Sequence, residues 1–282
     1  MSLAVVVGLS ACSGTSESLS TDLPQKNPTL WVLPLNEFIP NETHVRDYAN
    51  ALVVQDCITA GGFEWPVPWQ DIDDPGSISF NGAQRGLFDV ALATTWGYHS
   101  APWQGDTADD WREFVAFTSQ LIAVQGFEEV YMRCREEGRK ELPLPSEETL
   151  YFATSVAIEL LDKAQSDERV KAAAALWLNC MVPVGVAGLP VSPDLMPTVA
   201  LEEQFQSGVP GTVASVEEIR VATADAQCRE SSGYREVLYE TEWDLHVQAL
   251  QEHTDVLLRV RDELRKQNDR ILSVIAAHAP SE

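Results

Sequence analysis

Basic side chains are scarce in this chain: 19 Lys and Arg face 43 Asp and Glu across 282 residues, a formal net charge of -24 at pH 7. A surface this acidic repels nucleic-acid phosphates and anionic membrane headgroups, which excludes electrostatic adhesion to either. Basic partners and bound cations remain open, beside the plainer role of keeping a solvated surface soluble. Period-two alternation of apolar residues is also scarce, so little strand is expected. The nucleophile elbow Gly-x-Ser-x-Gly, the phosphate-binding loop, the dinucleotide glycine fingerprint and the zinc-protease His-Glu-x-x-His are absent. No catalytic residue, metal site or cofactor is therefore predicted. Five cysteines are present, but no two are separated by two residues as a zinc site would want. The apolar share of 45% is ordinary and excludes wholesale disorder.

The N-terminus carries the strongest positive signal. Leu3-Ala4-Val5-Val6-Val7-Gly8-Leu9 is apolar, far too short to span a bilayer, and ends in Ser10-Ala11 before Cys12. That is the layout of a signal-peptide core and cleavage site, although no Lys or Arg precedes the run. Leu9-Ser10-Ala11-Cys12 resembles the lipobox of bacterial lipoproteins. The resemblance implies that the Cys12 thiol accepts a diacylglycerol and that Cys12 becomes the first mature residue. Residues 1–11 then read as a signal peptide and 12–29 as anchor and flexible tether, polar from Ser13 to Ser18. Residues 30–282 read as one helical domain, held to the outer face of the bacterial cytoplasmic membrane by lipid.

Export suits the cysteines. Without Cys12 an even set remains, Cys57, Cys134, Cys180 and Cys228, which in an oxidising compartment reads as disulfides. Four cysteines allow three pairings. Cys57 with Cys134 and Cys180 with Cys228 is preferred, because export delivers cysteines in order and these pairs close the shorter loops. Glycines lean the same way: Gly61 and Gly138 follow the first two cysteines by four residues, Gly185 and Gly233 the last two by five. Each glycine is expected to close a helix just after its cysteine.

Apolar periodicity predicts a mainly α fold, an irregular helical domain with long loops, two disulfides and a long C-terminal helix. Prolines make residues 30–40 an extended apolar segment that docks on the core. One helix runs from Asn41 or Thr43 to Gly61-Gly62, and a loop follows from Phe63 to about Asn81. Further helices are expected over Ala83–Thr94, from a cap at Asp109 through Leu121, and over Phe127–Gly138. Ser146 and Asp167 cap the next two. A Pro- and Gly-bearing loop covers Val182–Thr212, and Ser215-Val216-Glu217-Glu218 is a capping box opening a helix to Cys228. The last helix covers about Tyr234–Ala277 without a Pro or Gly.

Across most of the mature chain the layout resembles a group of secreted or lipid-anchored helical proteins of high-GC Gram-positive bacteria. The resemblance is carried by Cys57 with Gly62-Phe63, Trp96-Gly97-Tyr98, Trp177 through Cys180-Met181, and Ala224-Asp225-Ala226-Gln227-Cys228-Arg229. It implies no activity.

Several residues are weighed as sites. His246 and His253 share a helix face about 10 Å apart, too far to hold one ion, and read as helix flank. Asp71, Asp73 and Asp74 make a solvated acidic loop, since Pro75 and missing later ligands spoil a calcium-loop reading. Trp65, Trp69, Trp96, Tyr98 and Trp103, with Trp111, concentrate in one third of the chain. They can stack on sugar rings or plug an irregular core. In the last helix Val247, Leu250, Thr254, Leu257, Arg261, Leu264, Asn268, Ile271 and Ile275 follow steps of three and four, a heptad-like seam. Leu257, Arg261, Leu264, Asn268 and Ile271 are the candidate partner surface if the seam is not satisfied internally. Three functions follow in order: an envelope interaction or accessory protein that binds another protein, a lipoprotein binding a cell-wall glycan or small solute, and a cell-wall enzyme.

Overall fold

A computed structural model describes residues 23–40, 43–70, 72, 88–99, 106–209 and 211–279. Cys12, Asp71, Asp73, Asp74 and Trp103 lie outside the described residues. Among the described residues the fold is all helical, and the only extended pairing is one isolated bridge between Asn27 and Val32. In chain order, α1 spans Thr43–Ala60, α2 Val90–Trp96, α3 Asp106–Leu121, α4 Phe127–Glu141 and α5 Glu147–Gln165. Then come α6 Glu168–Met181, α7 Val199–Phe205, α8 Val216–Ser231, α9 Tyr234–Glu252 and α10 Thr254–Ala277.

Three expected caps hold. Ser146, Asp167 and Ser215 accept from the N–H of Thr149, Arg169 and Glu218, which satisfies donors that the first turn leaves orphaned. Asp109 does not cap α3, which starts three residues earlier at Asp106; Asp109 and Asp110 within the first turns suit the positive end of the helix, so they do not stop an earlier start. The Ser215 capping box is half-formed, because the Glu218 side chain turns into the core instead of back to Ser215. Within the 182–212 loop lies the short α7. Residues 30–40 are not wholly extended: Asn36–Phe38 make a 3-10 turn between two prolines, and Leu33, Leu35 and Phe38 are buried on the core as expected.

The expected last helix is two helices. It breaks at His253, whose backbone leaves the helical region at φ -117 and ψ 20. The Thr254 hydroxyl donates back to the carbonyls of Leu250 and Gln251, a local bond that bends helices. The break lets α9 and α10 lie on different neighbours. α9 packs on α5 and α6, while α10 packs on α5 and then on α1. Leu257 and Val260 enter a cluster with Leu35, Phe38, Ala153 and Leu160; Ile271, Val274 and Ile275 enter another with Val45, Tyr48 and Leu52. Leu250, Leu257, Ile271 and Ile275 of the seam are therefore satisfied within the chain.

Both disulfides pair as expected. Cys57–Cys134 joins the end of α1 to α4, and Cys180–Cys228 joins α6 to α8. Gly233 does close a helix, in the left-handed conformation at φ 68. Gly138 does not: it lies inside α4, where an added Cβ would meet Val53 and Val54 of α1 at 3.1 and 3.3 Å. Its role is close approach of the two helices that Cys57–Cys134 ties.

His246 is core, not flank. It is 1% exposed, and its Nδ1 accepts from the Leu35 N–H at 3.3 Å, which leaves the proton on a buried Nε2 without a partner. Burial lowers its pKa from 6.5 to about 4. The unfolded chain thus binds a proton that the folded chain refuses between those values, and stability is lost as pH falls through that window. The shift corresponds to about 3 kcal/mol. Urea unfolding of wild type and His246→Asn should give ΔG curves that diverge between pH 6.5 and 4, wild type falling further; parallel curves would remove this assignment.

Candidate functional site

The segment Phe63–Gln70 has prolines at 66 and 68, which hold the preceding residues extended. It lies along α1, where the Trp65 indole donates to the Ala51 carbonyl at 3.1 Å and the Gln70 N–H to the Tyr48 hydroxyl at 3.1 Å. Trp65 is thereby fixed and buried, with Phe114 edge-on at 5.3 Å and Tyr131 tilted at 5.8 Å. Trp111 is half-buried, edge-on to Tyr48 and 5.2 Å from Phe114. These rings form the floor of a cleft of about 400 Å³. Its α1 wall carries Asp47 and Asn50, its α3 wall Thr118, and its α4 wall Arg135 and Arg139. An aromatic floor with a few polar groups at the rim is the usual build of a small-ligand site. The Cys57–Cys134 bridge and the close approach at Gly138 hold the α1 and α4 walls together.

The aromatic residues singled out in the sequence do not converge on one site. Trp65 is the cleft floor, and Trp69, 41% exposed, stands edge-on to Tyr48 beside it. Trp96 is half-buried at the end of α2, and Tyr98 is buried in a second cluster with Phe88, Trp177 and Phe205. Sequence reasoning missed Tyr131, Phe114, Asn50 and Arg135. The spacing of Tyr131, Arg135 and Arg139 by four residues, on one helix face, was the available signal.

That second cluster encloses buried polar groups. The Asp225 carboxylate, fully buried, accepts from Trp177 Nε1 at 2.8 Å and from the Tyr98 hydroxyl at 3.2 Å. Arg229 adds a two-pronged pair, Nε at 2.8 Å and Nη2 at 3.0 Å, and gives Nη2 to the Pro193 carbonyl. Burial, with Asp225 beside it, pushes the Tyr98 phenol well above its ordinary value and keeps it a donor. Both Asp225 oxygens and Arg229 Nε and Nη2 are spent within the group, so it is a structural knot. Tyr98, Trp177 and Ala224–Arg229, singled out in the sequence, are brought together here.

Next to it, Glu218 Oε1 accepts from the Tyr98 N–H at 2.9 Å and lies 2.8 Å from His99 Nδ1, while His99 Nε2 lies 3.0 Å from Thr212 Oγ1. A Cβ at Gly97 would sit 2.6 Å from Glu218 Oε1, so only glycine admits this approach. Hydroxyl, imidazole and carboxylate in line resemble a hydrolytic relay. The hydroxyl, however, lies 2.6 Å from the Val209 carbonyl and 2.9 Å from that of Gln206. Two carbonyls and His99 thus compete for its one proton, and the hydroxyl is tied into its own loop. The arrangement latches the 206–212 loop to α8.

The candidate partner surface divides. Leu257 and Ile271 are core and face no partner, because α5 and α1 already cover them. Arg261 is half-buried. Leu264 and Asn268 line a more apolar groove of about 430 Å³ against Ile39, Pro40 and Leu150. Charged groups of α10 are also used internally: Arg259 pairs with Glu148 of α5, and Glu263 accepts from Ser146 and Thr149. No described helix is long and apolar enough to cross a membrane, and no trio of His, Cys, Asp or Glu among the described residues could hold a metal ion. No family model, curated protein or solved structure matches this chain.

Proposed function

We propose that this chain is a lipid-anchored extracytoplasmic binding protein of the bacterial envelope, and that it holds a cell-wall glycan or a small solute in the aromatic cleft. The cleft carries the reading: rings that offer a flat apolar face lie next to an amide, a hydroxyl and guanidinium groups able to hold ligand oxygens. Export is supported by the two disulfides, which belong to oxidising compartments. Anchoring rests on the lipobox resemblance at Cys12 alone.

Each half has its test. Wild-type protein should partition into the detergent phase with the added mass of a diacylglycerol, and Cys12→Ala should stay unprocessed or leave the membrane. Cys12→Ala that remains membrane-bound at unchanged mass would end the anchor proposal. For the cleft, wild-type protein should co-sediment with purified peptidoglycan, and Trp111→Leu should release it with little change in melting temperature. A second reading, an interaction protein, is favoured by the apolar groove at Leu264 and Asn268. Crosslinking in intact cells that recovers an envelope protein through α10, with no peptidoglycan binding, would favour it instead.

A further inference from the structure

The α4 wall of the cleft has a charge arrangement at odds with the rest of the chain. In a protein of net charge -24 it presents two guanidinium groups one helical turn apart, Arg135 and Arg139. Arg139 is answered by Glu136 at 3.2 Å. Among the described residues no carboxylate answers Arg135; its partner there is the Tyr131 ring, 5.5 Å from the guanidinium carbon. Resting on that ring, the group keeps its hydrogen-bond donors available while its plane is held by cation–π attraction. Across the cleft, Asn50 is half-buried and its amide makes no side-chain hydrogen bond among the described residues. An uncommitted guanidinium and an uncommitted amide thus flank an aromatic floor.

We propose that the cleft binds a sugar bearing one carboxylate, its ring against Trp111 and its acid group on Arg135. This rests on the reading of the cleft as a ligand site. A carboxylate matches the planar fork of Arg two-pronged, the strongest form of this contact. A neutral sugar would leave Arg135 unused. A polyanion such as a sugar phosphate would meet Asp47 at the same rim and the field of an acidic chain, with one unanswered cation to offset both. Asn50 supplies donor and acceptor for ring hydroxyls or an acetamido group.

Isothermal titration calorimetry on the detergent-solubilised full chain tests this with N-acetylmuramic acid and N-acetylglucosamine, which share a ring and differ by the lactyl carboxylate. The acid should bind at least about tenfold more tightly, the worth of one charge-assisted contact. Arg135→Gln should erase that preference, while Arg133→Gln, which removes the same charge from an exposed position outside the cleft, should keep it. Equal affinities in wild type, or a preference that survives Arg135→Gln, would overturn the inference and leave the cleft as a neutral-sugar site. Binding of neither sugar would overturn the inference and count against the cleft reading as well.

Discussion

Arg229→Met is expected to destabilise the fold by about 4 kcal/mol and to lower the melting temperature by about 10 °C. The cause is not the lost packing, since Met fills much the same space beside Phe88, over whose ring the guanidinium sits at 5.0 Å. It is the charge left behind. Asp225 is fully buried, and without Arg229 its carboxylate keeps only Trp177 Nε1 and the Tyr98 hydroxyl. Two neutral donors do not offset a desolvated anion. Asp225→Asn combined with Arg229→Met should therefore recover part of the loss, because it removes the orphaned charge. Chemical denaturation of the wild type and the two variants measures this. A single-variant loss under about 1 kcal/mol, or a double variant worse than the single, would show that the pair is not the centre of this cluster.

Serine at both Cys180 and Cys228 should cost about 4 kcal/mol in the chain-entropy picture, for a loop that spans 48 residues. The two bridges should also differ in access. Cys180 is exposed, whereas Cys134 is 1% exposed and Cys57 half-buried. Mild reductant followed by alkylation should therefore label Cys180 and Cys228 before Cys57 and Cys134. Non-reducing peptide mapping should recover both predicted pairs. Labelling of Cys57 first, or a serine double variant as stable as wild type, would contradict this account.

The pairing was legible for a reason that was only half right. Order of export and short loops pointed to the correct bridges, but the glycine argument failed at Gly138, which serves helix contact inside α4 and closes nothing. Helix existence and several caps were readable because Ser146, Asp167 and Ser215 act through their own first turn, with partners two or three residues away. The break at His253 was not readable from the absence of Pro and Gly. It depends on a Thr254 hydroxyl returning to the preceding turn and on different neighbours, α6 for α9 and α1 for α10, receiving the two halves. Glu218 shows the same limit. Its spacing from Ser215 satisfies the capping box, yet Tyr98 and His99, some 120 residues away, capture the carboxylate. Burial of His246 likewise follows from Leu35 arriving over α9, a contact across 211 positions.

The cleft was legible in part. Concentration of Trp residues between 65 and 111 marked the region, but stacking and plugging were set against each other as alternatives, and the structure uses Trp65 for the second while Trp111 remains half-buried. Tyr131 and Arg135 lie beyond that stretch, and only the α1–α4 contact brings them to it.

The central claim is that the aromatic cleft is where this protein binds its ligand. Proton–nitrogen correlation spectra resolve each tryptophan indole N–H, and titration with soluble cell-wall glycan fragments reads them separately. The account predicts that the Trp111 and Trp65 indoles shift in step with saturation while those of Trp177 and Trp243, buried in other clusters, stay in place. Shifts confined to Trp177 or Trp243, or an unchanged spectrum at the highest soluble fragment concentration, would contradict it.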